Sequence, residues 1–298
     1  MNIWKDKNWA PMLLKEIDNP FNKKEYIYEI KFDGIRAIIF VSPNYFKIQT
    51  RNKVDITNLY PELKSIQKLV KKETIFDGEI VSFENDRPSF LKLQKRNHLK
   101  NEDRIKMESL NNPVTYVCFD ILYQGKNLID LSLKERKDIL NKFKISDNFY
   151  ISKTYNNGID LFNKTKKLKL EGIVAKKIDD KYEINTRSSS WIKIKNLRKE
   201  KFIIGGYEKR KGNYISLSLG ELKNNKLYFV GKASLTDSNI LYDKVVNNKK
   251  INKSPFENYK NKSSIYITPN IKCEVKYLER TKENHLRQPI IIKEKNYE

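Results

Sequence analysis

YEIKFDGIRAIIF, residues 28–40, sets a charged run between two strand-like segments. Tyr26, Tyr28, Ile30 and Phe32 alternate with polar neighbours, and 37–41 is an apolar run suited to a buried strand. Asp33-Gly34 is a favoured turn dipeptide, so the stretch predicts a β-hairpin. On that reading alone Lys31 and Arg36 decorate a solvated turn. The rest of the chain gives them company.

A chain of 298 residues has room for two domains, each with its own core. Charged residues at 33% and aromatics at 11% exclude a membrane protein and a disordered one. Lys and Arg number 60 against 37 Asp and Glu, a net charge of +23. That excess points to a polyanionic partner, nucleic acid above all. A Lys/Asn/Ile-rich composition accounts for part of it. The opening residues MNIWKDKNWAPM hold no apolar core of a signal peptide. No run approaches the ~20 apolar residues of a membrane span. The expected compartment is the cytoplasm, with Cys118 and Cys273 reduced and buried. Only His98 and His285 are present, which argues against histidine-based catalysis and a zinc site.

Along the chain, 60–72 predicts a helix with Leu63, Ile66 and Val70 on one face, and Ser132 through Glu135 fits a capping box. Strand signals fall at 75–83, 116–123, 172–175 and 191–194. Past Leu197 the texture changes to short strands at 202–207, 214–222, 226–233 and 265–277, separated by Gly/Asn turns. This predicts an α+β domain followed by a small β barrel.

Chemistry-bearing residues recur in a fixed order. Lys31-x-Asp33-Gly34-x-Arg36 is followed by FDGE ending in Glu79, then Phe119-Asp120, then Glu171-Gly-Ile-Val174-x-Lys176, then Lys193-x-Lys195. Each piece alone has a bland reading as a turn cap or the wet face of a strand. Together, in this order, they resemble the covalent nucleotidyltransferase superfamily of ATP-dependent DNA ligases, RNA ligases and capping enzymes. Pro11-Met12-Leu13, RPSFLKLQKR (87–96), FDILYQGK (119–126), FIIGGY (202–207) and HLRQP (285–289) narrow the resemblance to bacterial end-joining ligase domains of the ligase D type.

The resemblance implies a nucleotidyltransferase domain with antiparallel sheets and flanking helices over 1–198, and an all-β OB-fold domain over 199–298. It implies a minimal two-domain ligase, with no room for polymerase or phosphoesterase modules. The implied activity joins a 3′-hydroxyl to a 5′-phosphate using ATP, through AMP carried first on Lys31 and then on DNA, in DNA repair by non-homologous end joining. The implied partners are nicked or broken duplex DNA, a divalent metal (Mg2+ or Mn2+) and an end-binding protein of the Ku type. The expected state is a monomer, nucleoid-associated if the source is bacterial. The alternatives are an RNA ligase, a capping-type enzyme, and a non-catalytic nucleic-acid-binding protein.

Carried over residue by residue, Lys193 and Lys195 hold the α-phosphate, and Arg36 and Glu79 meet the ribose. Phe119 stacks on adenine with Val174 on its other face, and Glu29 helps place the adenine edge. Glu171, with Glu79, engages the metal, as hard carboxylate oxygens suit magnesium. Asp33 orients the catalytic site, and Asp120 has an equal structural reading. Arg51 matches the position that meets the 5′-phosphate of the nick; the other reading is a surface arginine. A lysine amine is almost wholly protonated at neutral pH, so Lys31 is expected to be pushed down by burial, Arg36, Lys193, Lys195 and the metal. Gly34 is explained by a turn with positive φ or by close approach to the nucleotide. The tail IIIKEKNYE (290–298) departs from the family's Arg-x-Asp-Lys-like ending; Lys293 and Lys295 are the candidate substitutes, and Arg287 matches the family without a clear role.

Overall fold

Two sheets frame the first part of the chain. In sequence order its elements begin with β1 (Leu13–Ile17), β2 (Tyr26–Lys31), β3 (Ile35–Ser42), β4 (Tyr45–Thr50) and β5 (Thr74–Val81). A two-stranded ribbon of β6 (Phe83–Glu84) and β7 (Arg87–Pro88) leads to helices α1 (Phe90–Asn97) and α2 (Glu102–Asn111). Then come β8 (Thr115–Gln124), α3 (Leu133–Leu140), β9 (Phe149–Ile151), α4 (Gly158–Lys167), β10 (Gly172–Lys177) and β11 (Arg187–Lys195). The structure, a computed structural model, describes residues 2–85 and 87–292. It divides into two compact units, residues 1–196 and 197–298.

One sheet has the order β1-β11-β10-β2 and the other β4-β3-β5-β8-β9. The expected hairpin therefore does not form: β2 and β3 lie in different sheets, and residues 32–34 carry the chain between them. An alternating strand, a Gly turn and an apolar strand look the same whether the second strand folds back or crosses over. The burial of β3 shows why it crosses. Ala37, Ile39 and Val41 face one core with Ile48, Leu63, Ile66 and Phe76, while Ile38 and Phe40 face another with Trp9, Ile75, Leu122 and Trp191. A strand buried on both faces belongs at the centre of a covered sheet. The sheets are also mixed rather than wholly antiparallel, because β1 runs parallel to β11 and β9 parallel to β8.

The helix expected over 60–72 is a 3-10 segment, Pro61–Leu69. Its apolar residues Leu63, Ile66 and Leu69 recur every three positions, which aligns them on one face of a three-residue turn, with Leu63 and Ile66 buried in the core and Leu69 partly buried against it. The capping box at α3 forms as read: the Ser132 hydroxyl accepts from the Glu135 amide, and the Glu135 carboxylate accepts from the Ser132 amide at 2.8 Å.

The second unit is one six-stranded antiparallel sheet made of β12 (Arg198–Lys209), β13 (Tyr214–Lys223), β14 (Lys226–Thr236), β15 (Lys250–Ile251), β16 (Ile265–Tyr277) and β17 (Ile290–Ile291). It curls around Leu217, Leu219, Val230, Ile267 and Val275, in agreement with an OB-fold. It is not all-β, since α5 (Leu241–Val246) packs Leu241 and Val245 into that core. Cys118 and Cys273 are buried and unbridged. Among the described residues no helix is long and apolar enough to cross a membrane.

Candidate active site

The period of two along β2, β10 and β11 sorts their side chains onto two faces. Tyr28, Ile173, Ala175 and Ile194 face a core that includes Leu161 of α4. The other set, in register across the sheet, is Glu29 beside Val174 beside Lys193, and Lys31 beside Gly172 beside Lys195. Trp191 pairs with Lys176 one row further on. These residues meet side chains from the five-stranded sheet: Arg36 on β3, Asp77 and Glu79 on β5, and Phe119 on β8. Phe119 occupies an irregularity, because β8 carries one residue more than β5 between Cys118 and Asp120. Such a bulge re-aims a side chain.

Two glycines permit this assembly. A Cβ on Gly172 would lie 2.1 Å from the Ile194 carbonyl oxygen, and its φ of +148° is a conformation L side chains rarely adopt. Gly34 does not sit at positive φ. A Cβ there would meet the Ile80 oxygen at 2.2 Å, so the close approach is to β5, which explains the glycine without either expected reason.

Lys31 ends β2 with its ammonium 2.7 Å from Glu171, and Lys195 stands 4.0 Å from the same carboxylate. Burial works against the charge on Lys31, but Glu171, Glu79 and Asp33 outweigh it and hold the ammonium above the usual lysine range. The expected downward push on Lys31 is thus reversed. Its nearest charges are carboxylates, and Arg36 is not free to help. The Arg36 guanidinium donates to both Asp77 oxygens, at 3.1 and 2.7 Å, while Tyr182 donates to Asp77 at 2.7 Å. Lys195 is lowered, chiefly by burial, and Glu79 is pushed by burial up to about 8. Lys193 pairs with Glu16 of β1 at 2.8 Å.

Glu29 lies deeper. Although burial opposes its charge, Lys137 at 2.5 Å and Lys176 at 3.1 Å hold its carboxyl below the ordinary range. Lys176 sits 4.3 Å from the Phe119 ring centroid and 4.0 Å from that of Trp191, and burial brings it down to about 8. Asp120 is fully buried and binds Arg136 through two hydrogen bonds of 2.9 Å, which settles it as structural. Arg51 lies exposed in the turn after β4. In the second unit, Arg287 pairs with Glu279. Lys293 and Lys295 fall outside the described residues.

Sequence reasoning missed Glu16, Asp77, Lys137, Tyr182 and Trp191. Trp191 had a signal, since it precedes Lys193 and Lys195 at the same strand spacing. Asp77 stood two residues before Glu79 on the same strand. The other three had none, because only the tertiary fold brings them to the cleft.

A lysine flanked by carboxylates and two further lysines, between two sheets and beside an aromatic ring, fits a covalent nucleotidyltransferase. The comparisons make this specific. Residues 11–195 match the ATP dependent DNA ligase domain and residues 210–296 the ATP dependent DNA ligase C terminal region, so the chain belongs to the ATP-dependent DNA ligase family. It is 34% identical to the SPbeta prophage-derived DNA ligase-like protein LigB of Bacillus subtilis, over 94% of this chain and 96% of that protein. It is 29% identical to the multifunctional non-homologous end joining protein LigD of Mycolicibacterium smegmatis, over 95% of this chain but 38% of that one. A solved mycobacterial DNA ligase D complexed with ATP and MES shares its fold, with a TM-score of 0.60, 23% identity and 97% coverage of both chains.

Proposed function

We propose that the chain seals breaks between a 3′-hydroxyl and a 5′-phosphate in duplex DNA, with Lys31 as the residue that carries AMP. The observation that carries this reading is the clustering of Lys31, Glu171, Lys193 and Lys195 on one sheet face, opposite Glu79 and Phe119. The Lys31 amine attacks the α-phosphorus of ATP, a bond forms from Nζ to phosphorus, and pyrophosphate leaves with the electrons of the broken P–O bond. Glu171, 2.7 Å away, is the nearest acceptor for the proton Lys31 must lose. Lys193 and Lys195 neutralise the phosphate oxygens, where electrostatics dominate such transfers. Phe119 and Val174 bracket the adenine, and Arg36 with Glu79 meets the ribose. The AMP then passes to the 5′-phosphate of the break, and the 3′-hydroxyl displaces it.

Glu171 and Glu79, both close enough to act on Lys31, are the carboxylates that would hold a divalent ion beside it. Magnesium is commonly held by one or two carboxylates with substrate phosphates completing the shell, so the donor set fits Mg2+ or Mn2+. The metal would add positive charge where the phosphates and the lysine amine meet.

In this reading residues 1–198 are the adenylation domain and 199–298 the OB-fold domain. Arg51 is proposed to meet the 5′-phosphate of the break. The likeness to LigD, a non-homologous end joining protein by name, supports end joining; a cytoplasmic monomer, at the nucleoid in a bacterial host and with a Ku-type end-binding partner, belongs to the same proposal. The test is covalent label from α-labelled ATP with magnesium, after pyrophosphate treatment to clear AMP already attached. Acid-labile label that is lost in Lys31→Ala, followed by sealing of a nicked duplex, is the expected result. Label from GTP instead would indicate a capping enzyme, and salt-sensitive DNA binding without any label would indicate a binding module.

A further inference from the structure

Two of the carboxylates that pair with the cleft cations Lys31, Lys193 and Lys195 are of unequal standing. Glu171 is buried and serves both Lys31 and Lys195. Glu16 comes from β1, the edge strand that runs parallel to β11, where it stands in direct register with Lys193. Its Oε2 lies 2.8 Å from Lys193 Nζ, and the two side chains are 34% and 23% exposed. Glu16 is also the foremost carboxylate acting on Lys195.

We infer that Glu16 is an internal counter-ion that competes with substrate phosphate for Lys193 and thereby sets the affinity of the cleft for nucleotide. The inference rests on the ligase reading above for the role of Lys193. A half-exposed ion pair is weak, and a triphosphate carrying several charges displaces one carboxylate at little cost. Anchoring of β1 does not require the pair, since five residues of the strand, Leu13 to Ile17, are already in register with β11. Glu16 thus acts through Lys193, as a positioning residue.

The experiment uses Glu16→Gln, which keeps shape and hydrogen bonding but removes the charge. Two quantities are measured at low and high salt: KM for ATP in lysine adenylylation, and the Kd of inorganic tripolyphosphate by calorimetry. Both are expected to fall by about two- to fivefold at low salt, with the gain shrinking at high salt. The gain lies in KM rather than in the saturating rate, and it vanishes in a Lys193→Met background, which isolates the pair. Glu16→Asp moves both quantities the same way by less, and serves if the Gln variant fails to fold. An unchanged KM and Kd overturn the inference. So does a raised KM with a slower saturating rate, which would make Glu16 a group that assists the substrate. Absence of label from ATP in the unaltered protein would sink the ligase reading instead, while the tripolyphosphate arm still judges Glu16.

Discussion

The two units treat paired charge differently. In the second, Glu208 is 4% exposed and accepts from Lys232, Arg210, Asn261 and Ser264. Glu200 and Glu221 share Arg280, and Tyr277 and Asn284 complete the set. Despite the cost of burial, these partners hold all three carboxyls below the usual range. In the first unit the cleft is mixed: pairing holds Glu29 low and Lys31 high, while other groups move the other way. Glu79 is pushed up to about 8, Lys176 falls to about 8, and Lys195 is lowered. Burial is opposed by partners in both units, but at Glu79, Lys176 and Lys195 of the cleft it outweighs them. Groups that burial shifts against their partners single out the cleft, rather than the paired carboxyls of the second unit, as the candidate site for chemistry.

The comparison breaks most sharply at Lys31. Lys31→Met should cut covalent AMP labelling by about a thousandfold or more, since the nucleophile has no substitute. Its melting temperature should stay within a few degrees, because Lys195 remains beside Glu171. A large loss of stability would show that the cleft pairs are structural after all.

A second variant tests a fully paired site inside the same unit. Arg136→Met strands the Asp120 carboxylate in the core, and denaturant titration should show a loss of about 3–5 kcal/mol. A loss below 1 kcal/mol would mean that the buried pair is not what holds α3 to β8.

Arg280→Met probes the second unit and should cost about 1–3 kcal/mol at neutral pH. The carboxyls it serves sit low when folded and near 4.5 when unfolded. Their stabilisation is therefore complete above about pH 4.5 and is lost as pH falls through the folded values. Melting curves from pH 6 down to pH 3 should be flatter in the variant than in the parent. Parallel curves would show that these pairs do not govern acid stability.

The smallest effect concerns Lys176. Folded it titrates near 8 against 10.5 unfolded, so between those values the unfolded chain binds the extra proton and stability rises with pH. Lys176→Met should remove that rise, read as the change in melting temperature between pH 8 and pH 10. An unaltered rise would assign it to another group.

The sequence by itself determined the elements and the reactive set. Alternation marked β2 and β16, and apolar runs marked strands such as β3, β5 and β8, which are buried on both faces. The Ser132 cap and the three-residue spacing at Leu63 and Ile66 are local signals, though the latter specified a 3-10 turn rather than the helix first read from it. The ordered Lys, Glu and Phe positions pointed to nucleotidyl transfer through their resemblance to a known superfamily.

Only the tertiary structure decided which sheet each strand joined, and with it the charges around Lys31. Glu171, 140 residues away, reaches Lys31 because β10 pairs with β2, and Glu16 reaches Lys193 because β1 pairs with β11. The direction of the shift on Lys31, the capture of Arg36 by Asp77 and the hold of Lys137 on Glu29 all follow from such long-range pairings. Local sequence carries periodicity and conformational preference. An electrostatic environment is a sum over neighbours in space, and those neighbours are named only when the sheets assemble.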